Sequence, residues 1–110
     1  MDKKQTLAAL AALSQETRLD VFRLLVQAGD DGMLAGDIAQ ALDVKQNTMS
    51  ANLAVLLTAG LVSNTREGRN IRYAADIEGL GGMLGFLLED CCGGRPEICQ
   101  PLIREITTGC

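Results

Sequence analysis

The sequence predicts a mainly α-helical domain that carries a β-hairpin, in the order of a winged helix-turn-helix. Three observations lead there. Apolar residues recur three and four positions apart along most of the chain, which is the pattern of amphipathic helices. Near the middle, a short helical stretch, a tight connection and a longer helical stretch follow one another. Directly afterwards the spacing changes to two short extended runs around a glycine.

The first helix is expected over residues 3–13, where Leu7, Leu10, Ala11 and Leu13 share helical spacing. Ser14 is placed to cap a second helix, with Glu16 favourable in its first turn. That helix carries Leu19, Phe22 and Val26 on one face with Leu25 beside them, and Gly29 ends it. Asp30-Asp31-Gly32 reads as a turn. Ala35 to Leu42 reads as a third helix with Ile38, Ala39 and Leu42 inward. Asp43 to Lys45 connects it tightly to a fourth, Gln46 to Ala59, with Met49, Leu53, Leu56 and Leu57 apolar and Gly60 as its stop.

Leu61 to Arg66 and Asn70 to Ala75 flank Glu67-Gly68-Arg69 and read as the hairpin. Ile77 to Asp90 forms a fifth helix containing Leu80, Met83, Leu84, Leu87 and Leu88. Glycine costs about 1 kcal/mol inside a helix. Gly81, Gly82 and Gly85 are therefore read as places where helices pack closely. Beyond Gly93-Gly94, Pro96 suits a first helical position, but Pro101 is expected to interrupt a long helix. The tail is thus expected to make a turn around Cys99 and a separate short helix after Pro101.

At 110 residues the chain makes one domain. Aromatics are only 3%, so its core must come from Leu, Ala, Ile, Val and Met. Two prolines and no low-complexity run argue against disorder. No apolar run is long enough to span a membrane. Lys3-Lys4 followed by Thr6 to Leu13 imitates a signal peptide, but the apolar stretch is short and Asp2 precedes it. A cytoplasmic location is expected, where thiols stay reduced.

A net charge of −4 argues against nucleic-acid binding by the chain as a whole. The charge is polarised, however. Between Lys45 and Ala75 there are four basic residues and one acidic, a local charge of +3, against six and thirteen elsewhere. In a winged helix-turn-helix the second helix of the pair enters the major groove and the hairpin meets the backbone. Lys45, Gln46, Asn47, Thr48, Ser50 and Asn52 then become candidates for phosphate and base contacts. Arg66, Arg69 and Arg72 are the hairpin's candidates for phosphate. The plain alternative is a solvated helix followed by a charged turn.

Cys91, Cys92 and Cys99 place three thiols within nine residues, in a chain without histidine. Thiolate is a soft donor, so the cluster suits a thiophilic ion. Buried residues without function, a redox switch in which Cys99 resolves Cys91 or Cys92, and a zinc, cadmium or lead site are the alternatives. Cys110 could add a fourth ligand for tetrahedral zinc. Adjacent cysteines are not the usual zinc spacing, and Cys110 is read as a free tail thiol. No enzyme is expected: there is no C-x-x-C, no phosphate-cradling loop and no histidine base.

Several stretches together carry a family resemblance. These are Val44-Lys45-Gln46-Asn47-Thr48-Met49-Ser50-Ala51-Asn52-Leu53-Ala54-Val55-Leu56, Ala59-Gly60-Leu61-Val62, Arg66-Glu67-Gly68-Arg69 and Tyr73. With Glu16-Thr17-Arg18-Leu19 and Leu24-Leu25, they resemble the ArsR/SmtB family of metal-responsive repressors over roughly residues 5 to 92. The resemblance implies a homodimeric winged-helix repressor that leaves double-stranded operator DNA when an inducer binds. Residues 1–92 would form the DNA-binding and dimerisation domain, and 93–110 a tail completing the inducer site.

The family's third-helix cysteine site would fall in Leu34-Ala35-Gly36-Asp37-Ile38, which has no cysteine. Its fifth-helix zinc or cobalt site needs histidines, and there are none. What remains, Glu89 to Cys99, resembles the C-terminal site of the arsenite-responsive branch. Trivalent arsenic takes three thiolates in a trigonal pyramid, and antimony shares that geometry. Gly93-Gly94 lets Cys99 fold back toward Cys91 and Cys92. The expectation is a repressor of an arsenic-resistance operon with no permanent cofactor, released by trivalent arsenic or antimony. A redox- or zinc/cadmium/lead-responsive repressor on the same scaffold is the alternative. The first and fifth helices, whose apolar faces lack another partner, are expected to form the dimer interface.

Overall fold

The computed structural model describes residues 1–88 and 96–108. Helix α1 (Lys3–Leu13) starts with a reciprocal cap: Gln5 N donates to Asp2 Oδ1 at 2.8 Å, and Asp2 N donates to Gln5 Oε1 at 2.8 Å. Its buried residues are Thr6, Ala9 and Ala12. The expected stripe faces outward instead, with Leu7 58% and Leu10 39% exposed. The reason is packing distance. Small residues let α1 lie close to its neighbours, while its leucines remain for another surface.

Helix α2 (Glu16–Ala28) is capped by Gln15, whose side chain accepts from Arg18 N, and not by Ser14. Ser14 closes α1, its hydroxyl donating to Ala11 O at 2.8 Å. Val21, Phe22 and Leu25 point inward, whereas Leu19 and Val26 are exposed. A 3-10 turn (Gly29–Asp31) leads to β1 (Met33–Leu34), a strand the sequence pattern had not suggested. Two residues carry no readable periodicity, and β1 exists because a longer strand offers it an edge.

Helix α3 (Ala35–Leu42) buries Ile38 and Ala39 as expected. Asp43 takes a left-handed conformation and turns the chain into α4 (Gln46–Thr58). Leu25, Ile38, Met49, Leu53, Leu56 and Leu61 form the fully buried centre. Strands β2 (Val62–Glu67) and β3 (Asn70–Ala75) make the hairpin. Glu67 pairs with Asn70, so its turn is the two residues Gly68-Arg69, with Gly68 at φ 62°. The sheet order is β1-β3-β2, all antiparallel, with Met33 opposite Tyr73.

Helix α5 (Ile77–Leu88) starts on Asp76, whose carboxylate accepts from Gly79 N at 3.0 Å. The glycine that brings this helix close is Gly79, where a Cβ would collide with the Gly60 carbonyl oxygen. Gly82 lies against Met1, while Gly81 and Gly85 face open space. Helix α6 runs unbroken from Pro96 to Thr108 with Pro101 inside it, against the expected interruption. Proline at the sixth position removes one hydrogen bond, to the carbonyl four residues back, and the remaining turns still close. The boundary expected at residues 92 and 93 lies outside the described residues. Among those described, no helix is long and apolar enough to cross a membrane.

The Thr6 hydroxyl is buried without a hydrogen-bond partner. Thr6→Val keeps the shape and removes that unsatisfied group. It is expected to stabilise the fold by about 1 kcal/mol. Thermal melts at one fixed protein concentration check this, and an unchanged or lower midpoint would refute it.

Candidate nucleic-acid interface

Helix α4 begins without a side-chain cap from Lys45, its N-cap residue. Asn47 Oδ1 accepts from Thr48 N at 2.9 Å. The positive end of the helix dipole makes this terminus a natural place for a phosphate oxygen. Lys45, Gln46, Asn47, Thr48 and Ser50 are all exposed along this first stretch. Met49 turns inward between them and anchors the helix in the core.

The hairpin places its arginines by strand alternation. Val62 and Tyr73 face the core, and Arg66, opposite Ile71, lies on that same side near the tip. Arg66 Nε donates to Gly68 O at 3.2 Å, and its side chain is exposed. Arg69 sits in the turn itself, exposed. A cleft of 220 Å³ joins the two elements, lined by Gly36, Gln46, Ser50, Arg69, Asn70 and Tyr73 among others. The exposed start of α4 and the tip arginine therefore share one surface.

Two expected contacts fall elsewhere. Asn52 is buried, 9% exposed, and its Oδ1 accepts from Arg18 Nη1 at 3.2 Å. Its spacing from Met49 and Leu56 is that of the core face, which was the signal to read. Arg72 lies on the opposite side of the ribbon from Arg66. It is held by Glu67, Nε to Oε2 at 2.7 Å, and donates from Nη1 to Asp31 O at 3.1 Å. The Glu67 carboxylate raises the Arg72 pKa above its ordinary value by hydrogen bonding and charge. That guanidinium is already neutralised locally, so it brings little free charge to a phosphate.

Of the expected ion-binding cysteines, Cys91 and Cys92 lie outside the described residues, as does Cys110. Cys99 falls within α6. Among the described residues no group of three potential metal ligands comes together.

Comparison with known proteins agrees with this geometry. A helix-turn-helix domain family matches residues 13–63. A Halobacterium salinarum protein named for arsenical resistance operon repression is 37% identical over 62 residues, 56% of this chain. This chain spans about half the length of that relative and of a second from the same organism, 51% and 54%. The HTH-type transcriptional regulator CmtR of Mycobacterium tuberculosis is 35% identical over 104 residues, covering 94% of this chain and 84% of that protein. Among solved structures, an ArsR-like transcriptional regulator from Rhodococcus superposes with a TM-score of 0.68 at 29% identity, covering 94% of this chain and 92% of its own. The homodimeric winged helix-turn-helix DNA-binding domain Mb0332 from Mycobacterium bovis gives 0.62 at 27% identity, covering 84% and 85%.

Proposed function

Because the chain belongs to the ArsR/SmtB family of winged helix-turn-helix transcriptional regulators, we propose that it represses an arsenic-resistance operon. It acts in the cytoplasm as a homodimer on double-stranded operator DNA, and trivalent arsenic or antimony releases it. The observation that carries the DNA reading is the shared cleft, in which the exposed start of α4 meets Arg69. A helix of this width fits the major groove, and an arginine beside it fits the phosphate wall.

Dimer formation is supported by apolar surface with no use in one copy. Leu7 and Leu10 on α1 and Leu84 and Leu87 on α5 are all exposed. A twofold pair would present two α4 helices to half-sites about one helical turn apart. Residues 1–92 are assigned to DNA binding and dimerisation, and 93–110 to completing the inducer site. The donor set for the inducer is Cys91, Cys92 and Cys99, three soft thiolates that suit a trigonal ion. Two of the relatives are named for arsenical resistance operons, which supports the choice of ion.

Anisotropy titration against an operator selected from a random duplex library tests this reading. Arg69→Ala is expected to weaken binding to all sequences alike and to lower the salt slope by about one. Arg72→Ala should leave that slope nearly unchanged, since Glu67 already holds the charge. Substitution of Gln46 or Asn47 should alter sequence preference. A uniform loss there would count against base reading by α4. Titration of arsenite, antimonite, zinc, cadmium and peroxide into the complex under full reduction tests the inducer. Release only by peroxide after removal of reductant would instead mark a redox switch.

A further inference from the structure

Helices α1 and α4 lie side by side with small side chains along their outer rim. A groove of 470 Å³ runs between them, lined mostly by Ala8, Ala11, Ala12, Ala54 and Val55. Helix register is ordinarily set by ridges of side chains entering grooves. Alanine ridges are shallow, so the groove rim adds little to that register.

Helix α2 sends one polar side chain into that contact. Arg18 Nε donates to Ala12 O at 2.7 Å, and Arg18 Nη1 donates to Asn52 Oδ1 at 3.2 Å. Ala12 lies in the last turn of α1, where carbonyls have no partner within the helix. That turn contains no basic residue of its own, so Arg18 supplies the cation its negative end favours. Asn52 sits on α4, two positions beyond Ser50, turned inward and 9% exposed. A guanidinium is planar and rigid, so its two bonds share one geometry. Sliding α4 along α1 breaks one of them.

We propose that Arg18 is the positioning residue that registers α4 against α1. A shift at α1, an expected dimer helix, thereby reaches the DNA-reading turn. The proposal rests on the reading of α4 as the recognition helix. Arg18 is absent from the lining of the cleft that joins α4 to the hairpin and instead lines the groove on the α1 side. Its side-chain bonds go to Ala12 and Asn52, so its effect on DNA binding would pass through Asn52.

The test compares the full chain with Arg18→Lys, Asn52→Ala and the double variant. Lysine keeps the charge without the fork, and alanine removes the acceptor while leaving α2 intact. Each is titrated against operator and scrambled duplexes at several salt concentrations, with circular dichroism confirming helical content. Each single variant is expected to narrow the operator-to-scrambled affinity ratio by about tenfold, the scale of a hydrogen bond to a charged group. The salt slope stays as in the parent chain, and the double variant loses no more than the larger single one. A lower melting temperature with an unchanged ratio would reduce Arg18 to a structural residue and overturn the proposal. So would a fall in salt slope, which marks a direct phosphate contact. If Arg18→Lys does not fold, Asn52→Ala makes the same comparison. A parent chain that never distinguishes operator from scrambled DNA would overturn the recognition-helix reading first. An unchanged ratio in variants of a discriminating parent overturns only the role of Arg18.

Discussion

A chain with serine at Cys91, Cys92 and Cys99 is expected to bind operator DNA like the parent and to stay bound when arsenite is added. Serine nearly matches cysteine in size but offers a hard neutral oxygen where a soft ion needs thiolate. The residues proposed to meet DNA include none of the three cysteines, so operator affinity is expected to stay as in the parent. Allosteric coupling between two sites is typically about 1–3 kcal/mol, or roughly 5–150-fold in affinity. The substitution should abolish that whole factor. By the same linkage, operator DNA must weaken arsenite binding to the parent chain equally. Single substitutions divide the site, and Cys110→Ser should behave as the parent. Normal release from the triple variant would remove these cysteines from the inducer site and leave the DNA reading standing.

The second large effect is expected in the fold. Gly79→Ala would push a Cβ into the Gly60 carbonyl oxygen, a backbone atom at the exit of α4. Neither side of that contact can yield by rotating a side chain, so α5 must move off α4. Overpacking of this kind costs about 3 kcal/mol, a large fraction of a stability of roughly 5–15 kcal/mol. Gly81→Ala, in the same helix, meets no atom within 4 Å in a single copy and should escape that collision. Denaturant titration of both variants checks the pair. Destabilisation of equal size at both positions would show that the Gly60 contact is not what makes Gly79 necessary.

The fold of α4 was readable because local rules agree there. Met49, Leu53 and Leu56 set the buried face of α4, and the polar residues at its start have nowhere to go but solvent. Asn52 was misread from residue type when its spacing already placed it inward. Arg72 was misread because its partners Glu67 and Asp31 are close only after β3 pairs with β2 and the 3-10 turn packs behind it.

The sequence by itself determined the helix and hairpin periods, the α3-to-α4 turn and the polar start of α4. Each depends on neighbours within a few residues, where spacing and backbone preference act directly. Only the tertiary structure decided which face of α1 is buried, that β1 exists, that Gly79 touches Gly60, and that Arg18 clasps Asn52. Those facts join residues far apart in the chain. Their energies come from close packing and from polar groups seeking partners away from water, and neither exists until the elements have met.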